Sequence, residues 1–220
     1  SSDLRVKRYS RGIVLKNEQP ENIVDEMLSL WKKLDGHKLP VEKRKILFVG
    51  EEISFASRYR VEHFREQLIL RGYASRFIQM DQAEKESLEE YEAIVLYRCS
   101  KLMEVEMLAD RAKAAGIRVY YDIDDLVFDY EKIAGLHFLK GKEYSDFRTT
   151  AERIHGCMEF CDGYITSTET LAGVLREEFS GKPVVINRNC MSMEMEILSH
   201  EAFEQTDKNE EKIYIGYLSG

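Results

Sequence analysis

The sequence predicts a doubly wound α/β fold, a parallel sheet with helices on both faces, and three observations carry that prediction. Short strand-like segments recur along the chain, at 46–50, 73–79, 93–97, 117–121, 163–166 and 183–187, the first of them a continuous apolar run. Between them lie stretches of about 10–15 residues whose apolar positions repeat at helical spacing. Two of these stretches close on a glycine, Gly72 and Gly116, where a helix end turns left-handed.

The elements justify themselves in order. Ile46-Leu-Phe-Val-Gly is apolar at every position before its glycine, the signature of a strand buried on both faces. After the polar loop 51–57, Val61, Phe64, Leu68 and Ile69 follow at helical spacing. Tyr73 to Gln79 reads as the second strand and Ala93 to Tyr97 as the third. A helix from Met103 to Ala115 leads to the fourth strand, Ile117 to Tyr121. Helices around Thr149 to Cys161 and Thr168 to Phe179 flank the fifth strand, Gly163 to Thr166, and the sixth runs from Pro183 to Asn187. Each strand–helix–strand unit implies a right-handed crossover and hence parallel pairing.

With 220 residues the chain has room for one domain and an appendage, since domains run to about 100–200 residues. Residues 1–44 read as an N-terminal extension whose one patterned stretch, Glu21 to Leu34, sets Ile23, Met27, Leu30, Trp31 and Leu34 on one helical face. Residues 45–200 read as the α/β domain. After an acidic linker, Lys212 to Leu218 reads as a fresh strand, so 201–220 are expected to open a further domain.

Composition excludes several classes. Hydrophobic residues make up 44% and charged residues 33%, ordinary for a globular chain, and no apolar run approaches the roughly 20 residues of a spanning helix. A net charge of −8 repels phosphate backbones, so nucleic acid is not an expected partner. The four cysteines, at 99, 157, 161 and 190, show neither CxxC nor Cys/His ligand spacing and read as reduced, buried thiols. No signal-like segment opens the sequence, and the expected location is the cytoplasm.

In an open parallel sheet the chemistry sits just beyond the carboxyl ends of the strands. The first of these loops lacks the GxGxxG that a dinucleotide pyrophosphate needs, which disfavours nicotinamide cofactors. It does place Ser57, Arg58, Tyr59 and Arg60 at a helix start, where they either bind an anionic or sugar ligand or serve as a cap with two solvated arginines. The strongest signal follows the fourth strand: Tyr121-Asp-Ile-Asp-Asp-Leu-Val-Phe-Asp holds four carboxylates, Asp122, Asp124, Asp125 and Asp129. Such a cluster repels itself unless a cation, basic groups or hydroxyls satisfy it. Asp122-x-Asp124 matches both the metal-binding DxD of GT-A sugar transferases and the DxD of aspartyl-phosphate phosphatases, but the latter follows a first strand. A solvated acidic turn is the plainer alternative. Ser167 or Thr168 is placed to cap the next helix or to meet a ligand, and Asn187 leaves the sixth strand on the same edge. His137 lies in the loop after the aspartates, either as a surface residue or as a base.

Taken together, Ile46-Leu-Phe-Val-Gly with Ser57-Arg-Tyr-Arg-Val, the aspartate segment, Cys161-Asp-Gly-Tyr-Ile-Thr-Ser-Thr-Glu-Thr-Leu and Ile215-Gly-Tyr-Leu-Ser-Gly resemble bacterial glycosyltransferase family 4-like enzymes of surface polysaccharide biosynthesis. The resemblance spans about 45–220 and implies the Rossmann-like, acceptor-side half of a GT-B hexosyltransferase. It implies a nucleotide-sugar donor as substrate, a glycan or lipid-linked saccharide acceptor, and no required cofactor or bound metal. Asp124 or Asp125 would take the acceptor proton; Ser57, Arg58, Tyr59, Arg60, Asp122, His137, Ser167, Thr168 and Asn187 would line the acceptor side. Arg58 or Arg60 would reach across to the donor phosphates, and Ser219-Gly220 would begin the donor-side loop. The donor-binding domain with its paired glutamates would be this chain's own C-terminal partner, so the 220 residues alone are expected to be inactive. The resemblance also brings peripheral contact with the inner face of the membrane, although Lys32 and Lys33 stand among acids on the 21–34 helix, a charge pattern that suits docking on protein. Two other classes stay open: a non-catalytic carbohydrate-binding or scaffolding domain, and a metal-dependent enzyme using Asp122, Asp124 and Asp125.

Overall fold

A computed structural model describes residues 45–51, 55–134 and 142–204. The expected helix at 21–34, the strand at 212–218, His137, Ser219 and Gly220 lie outside the described residues. The chain divides into two compact units, Glu26–Cys190 and Ser1–Asp25 with Met191–Gly220. The first unit holds the sheet. Of the second, the described part is one helix, Met193–Glu204, whose first turn is capped where the Ser192 hydroxyl accepts from the Met195 N–H at 3.1 Å. That helix runs into the segment read from sequence as linker.

Six strands pair in parallel: β1 (Lys45–Gly50), β2 (Ala74–Gln79), β3 (Tyr91–Tyr97), β4 (Arg118–Asp122), β5 (Gly163–Thr166) and β6 (Val184–Ile186). Their order across the sheet is β2-β1-β3-β4-β5-β6. The protein is thus a doubly wound α/β structure with a Rossmann-like sheet, as the alternating pattern predicts. Central strands are the apolar runs, because both their faces are covered; the edge strands β2 and β6 are only partly buried.

Strand alternation splits the core into two layers. On one face, Leu47, Val49, Ile94, Leu96, Val119, Tyr121 and Tyr164 meet α2 (Met103–Ala114), α4 (Lys142–Glu159) and α5 (Glu169–Glu178), which contribute Leu108, Cys157, Met158, Leu171 and Leu175. Phe48, Val95, Tyr97 and Ile165 face the other way, onto Val61 and Leu68 of α1 (55–69). Burying each of these aliphatic side chains is worth about 1.5–3 kcal/mol, so helical periodicity is enforced by the sheet as much as by propensity.

The helix α1 is composite: Phe55–Ser57, a π-helical turn Arg58–Glu62, then His63–Ile69. Three more elements were not legible in sequence: a 3-10 helix, Met80–Lys85, the short α3 (Tyr130–Ile133), and the first turns of α4, which begins before the Thr149 expected. Helix α2 ends as predicted. Gly116 takes φ +72°, its N–H donates to the Lys113 carbonyl at 3.1 Å, and that of Ile117 to the Ala112 carbonyl at 2.8 Å, closing two orphan carbonyls.

Cys99, Cys157 and Cys161 are buried free thiols, and burial pushes all three well up from the ordinary thiol range; Cys190, in contrast to the expectation, is exposed.

Candidate functional site

The chain steps outward from β1 to β2 and then in the opposite direction from β3 to β6, so the topological switch falls between β1 and β3. Register aligns Gly50 with Tyr97, Tyr97 with Asp122, and Asp122 with Ile165 along the carboxyl edge. A Cβ on Gly50 would lie 3.1 Å from the Phe77 ring and 3.7 Å from that of Tyr97, so the bare glycine lets two aromatic rings close over the end of β1. The segments leaving β1, β3 and β4 therefore converge on one place.

The deepest element there is an ion pair. Arg60 Nε and Nη2 donate to Asp122 Oδ1 and Oδ2, each at 2.8 Å, with both side chains closed to solvent. The remaining Arg60 nitrogen, Nη1, donates to the Asn187 carbonyl at 2.5 Å and to Asn189 Oδ1 at 2.9 Å. One guanidinium thus joins α1, the end of β4 and the chain leaving β6. The π-turn helps to place it, because the wider turn changes which side chains face the sheet, and Arg60 and Val61 are its two buried residues. Burial pushes the Asp122 carboxyl up to about 6, with Arg60 pulling it down; burial also opposes charge on Arg60, but Asp122 outweighs this and holds the guanidinium above its usual value. The two-pronged geometry, with Nε and Nη2 each donating to a separate carboxylate oxygen, suits the charged forms of both partners.

Beside it sits a second, more open cluster. Arg98 Nε and Nη2 donate to Asp124 Oδ1 at 2.9 and 2.6 Å, and Nη2 also meets Asp125 Oδ2. The exposures grade outward: 15% for the Asp124 side chain, 29% for Arg98 and 58% for Asp125. Arg98 has φ +49°, the only positive value outside glycine among the described residues, and its N–H donates to the Asp122 carbonyl at 3.2 Å. A left-handed arginine stores backbone strain that the surrounding structure must hold in place. Glu51, beyond β1, accepts from the Ser100 N–H at 2.7 Å and ties the first loop to the third.

The four aspartates of 122–129 are therefore divided rather than pooled. Asp122 goes to Arg60, Asp124 and Asp125 share Arg98, and Asp129 caps α3 by accepting from the Lys132 N–H at 3.0 Å. Self-repulsion is relieved by basic groups, one of the alternatives the sequence left open. Among the described residues, no group of three or more His, Cys, Asp or Glu side chains could hold a metal ion.

The other predicted residues scatter along the same edge. Ser57 is buried with helical dihedrals (φ −63°, ψ −25°), so it continues α1 rather than capping it. Tyr59 sets its ring edge-on to His63, 5.0 Å away, and Arg58 is half-buried beside it. Thr168, not Ser167, caps α5, accepting from the Leu171 N–H at 3.2 Å. Asn187 takes part through its backbone: its N–H donates to the Thr166 carbonyl at 2.8 Å, and its own carbonyl accepts from Arg60. Arg60 and Asp122 are placed to organise the edge from beneath, with no solvent-facing surface of their own. Sequence reasoning passed over Tyr97 and Arg98; the available signal was a charged residue directly after an apolar strand bordering the switch point.

Two cavities lie elsewhere among the described residues. One of about 490 Å³ is lined by Asp129, Lys132, Glu152, His155, Glu159 and Glu178; one of about 760 Å³ opens near Lys45 and Glu90, at the amino end of the sheet. The strand edge remains the better candidate, because there the switch point coincides with a strained residue and partly exposed charges. No described helix is long and apolar enough to cross a membrane. Compared with known proteins, the chain matches no protein-family profile and no curated protein sequence. The fold and this edge together define a class: a doubly wound, Rossmann-like α/β protein with an arginine–aspartate cluster at its switch point.

Proposed function

We propose that this chain is the acceptor-side domain of a sugar transferase, using a nucleotide-sugar donor and a glycan or lipid-linked saccharide acceptor. The observation that supports it most is the Arg98–Asp124–Asp125 cluster, partly exposed beside the switch point of the sheet. A carboxylate suits acceptor chemistry because it takes a hydroxyl hydrogen bond that strengthens as the oxygen attacks. In this reading Asp125, the more open of the two, meets the acceptor hydroxyl, and Asp124 holds Arg98 in position. Arg60 and Asp122 keep the edge rigid, since a buried bidentate pair fixes its own geometry. The donor site and its phosphate-binding groups would belong to a second domain, and no metal or other cofactor is required.

Saturation-transfer NMR on the 220-residue chain, with neutral oligosaccharides and nucleotide-diphosphate sugars as probes, tests the proposal. The expected result is saccharide binding that disappears in the Asp124→Asn/Asp125→Asn variant, with no turnover of nucleotide sugar. Absence of any saccharide binding rejects the reading, and turnover by this chain alone rejects its assignment to half of an enzyme.

One observation favours a non-catalytic carbohydrate-binding domain instead: both candidate bases already accept from Arg98, and base duty requires that arginine to move aside. The two readings separate on whether the coding region beyond Gly220 supplies a βαβ domain with donor-binding glutamates, and whether sugar transfer by that longer protein needs Asp125.

A further inference from the structure

The hydroxyl of Tyr97 is buried and makes no hydrogen bond among the described residues, a rare condition for a phenol at the end of a central strand. It stands at the switch point, next in register to Gly50 on one side and Asp122 on the other. The Arg98 guanidinium lies 5.7 Å from the centre of its ring. Burial pushes the phenol far above its ordinary range, with the charges of Arg98, Asp124, Asp122 and Arg60 all acting on it, so it stays a neutral donor and acceptor. Removing a polar atom from water without a partner is costly, and folding alone gives no reason to prefer tyrosine over phenylalanine at this position.

We infer that Tyr97 is the specificity-determining residue of this strand edge, and that with Arg98 and Asp124 it selects a neutral hydroxyl-bearing ligand over a charged one. The inference rests on the saccharide reading above and deepens it. The complement of groups decides the class. Arg98 Nη1, which makes no hydrogen bond among the described residues, can only donate; Asp124 and Asp125 can only accept; Tyr97 does both. A phosphate or carboxylate on the ligand would face two aspartates, and an ammonium would face Arg98. A sugar hydroxyl donates to the carboxylate and accepts from the guanidinium or the phenol, matching every group at once. Arg98 lies over the Tyr97 ring and is itself partly exposed, so a ligand that draws the guanidinium outward would open a path to the buried phenol.

The test is Tyr97→Phe, compared with the unaltered chain by thermal melting and by saturation-transfer NMR with methyl glucoside, methyl mannoside, methyl galactoside, glucuronate and glucosamine. The expected result is a melting temperature unchanged or raised, since an unpaired polar atom has been removed, together with about tenfold weaker binding of the neutral glycosides. A merely structural tyrosine would show the reverse, a lowered melting temperature and unchanged affinity. Equal affinity in the variant, or glucuronate or glucosamine binding the unaltered chain as well as the glycosides do, overturns the inference while leaving the saccharide reading standing. Binding of none of the five probes by the unaltered chain overturns both.

Discussion

Arg60 and Asp122 are each closed to solvent, so each depends on the other for its charge to be tolerable. Asp122→Asn leaves the guanidinium buried without a counter-charge, and the expected loss is about 3–5 kcal/mol in denaturant unfolding. Arg60→Lys is not a conservative change here, because an ammonium cannot make the paired bonds to Asp122 and still reach Asn187 and Asn189. It should lower the denaturation midpoint in the same direction. An unaltered midpoint in both variants would show that the pair contributes nothing to stability. The Arg98 cluster behaves differently: its members are partly exposed, so its substitutions should register in ligand binding far more than in unfolding.

At the scale of elements, the start of β5 lies hard against Pro183, the residue before β6. A Cβ on Gly163 would lie 2.9 Å from both the Pro183 carbonyl oxygen and its ring Cγ, and 3.3 Å from the Tyr120 ring. The backbone oxygen cannot swing aside, so Gly163→Ala must push β6 outward. The expected cost is about 1–3 kcal/mol, measured as a fall in thermal stability; a melting temperature equal to that of the unaltered chain would mean that β6 yields freely. The consequence extends to the site, because the chain leaving β6 carries Asn187 and Asn189 to Arg60. Helix α1 meets that same segment at two points. Its π-turn carries Arg60 inward, while one turn on His63 Nδ1 pairs with the Cys190 carbonyl at 2.8 Å.

Across the whole molecule, the net charge of −8 sets what the surface attracts. Phosphate backbones are repelled at long range, so the chain should neither shift duplex DNA in a gel nor stay on a heparin column at about 0.15 M salt. Retention under those conditions would reveal a local basic face strong enough to outweigh the total. A neutral saccharide meets no such barrier, which makes the charge of the chain compatible with the ligand class proposed for its switch point.

How much of this was legible in the sequence depends on the range over which each feature is decided. Strands β1, β3 and β5 announce themselves because burial on both faces leaves mostly apolar residues along their lengths, and α2 ends through bonds from Gly116 and Ile117 to residues three and five positions back. These are local constraints, and local patterns encode them. The aspartate run at 122–129 was visible as a site, but its division among Arg60, Arg98 and Lys132 was not. Arg60 lies 62 residues from Asp122 and Arg98 lies 26 from Asp124, and nothing in either neighbourhood names the partner. The π-turn and the left-handed Arg98 were equally hidden, since both are backbone states imposed by packing on residues with ordinary helix or strand preferences. The sequence by itself determined the class of fold and the edge of the sheet where the charges gather. The tertiary structure alone decided which charges neutralise one another and left the Tyr97 hydroxyl unpaired among the described residues, because strand order and register, not spacing along the chain, bring those groups within hydrogen-bonding reach.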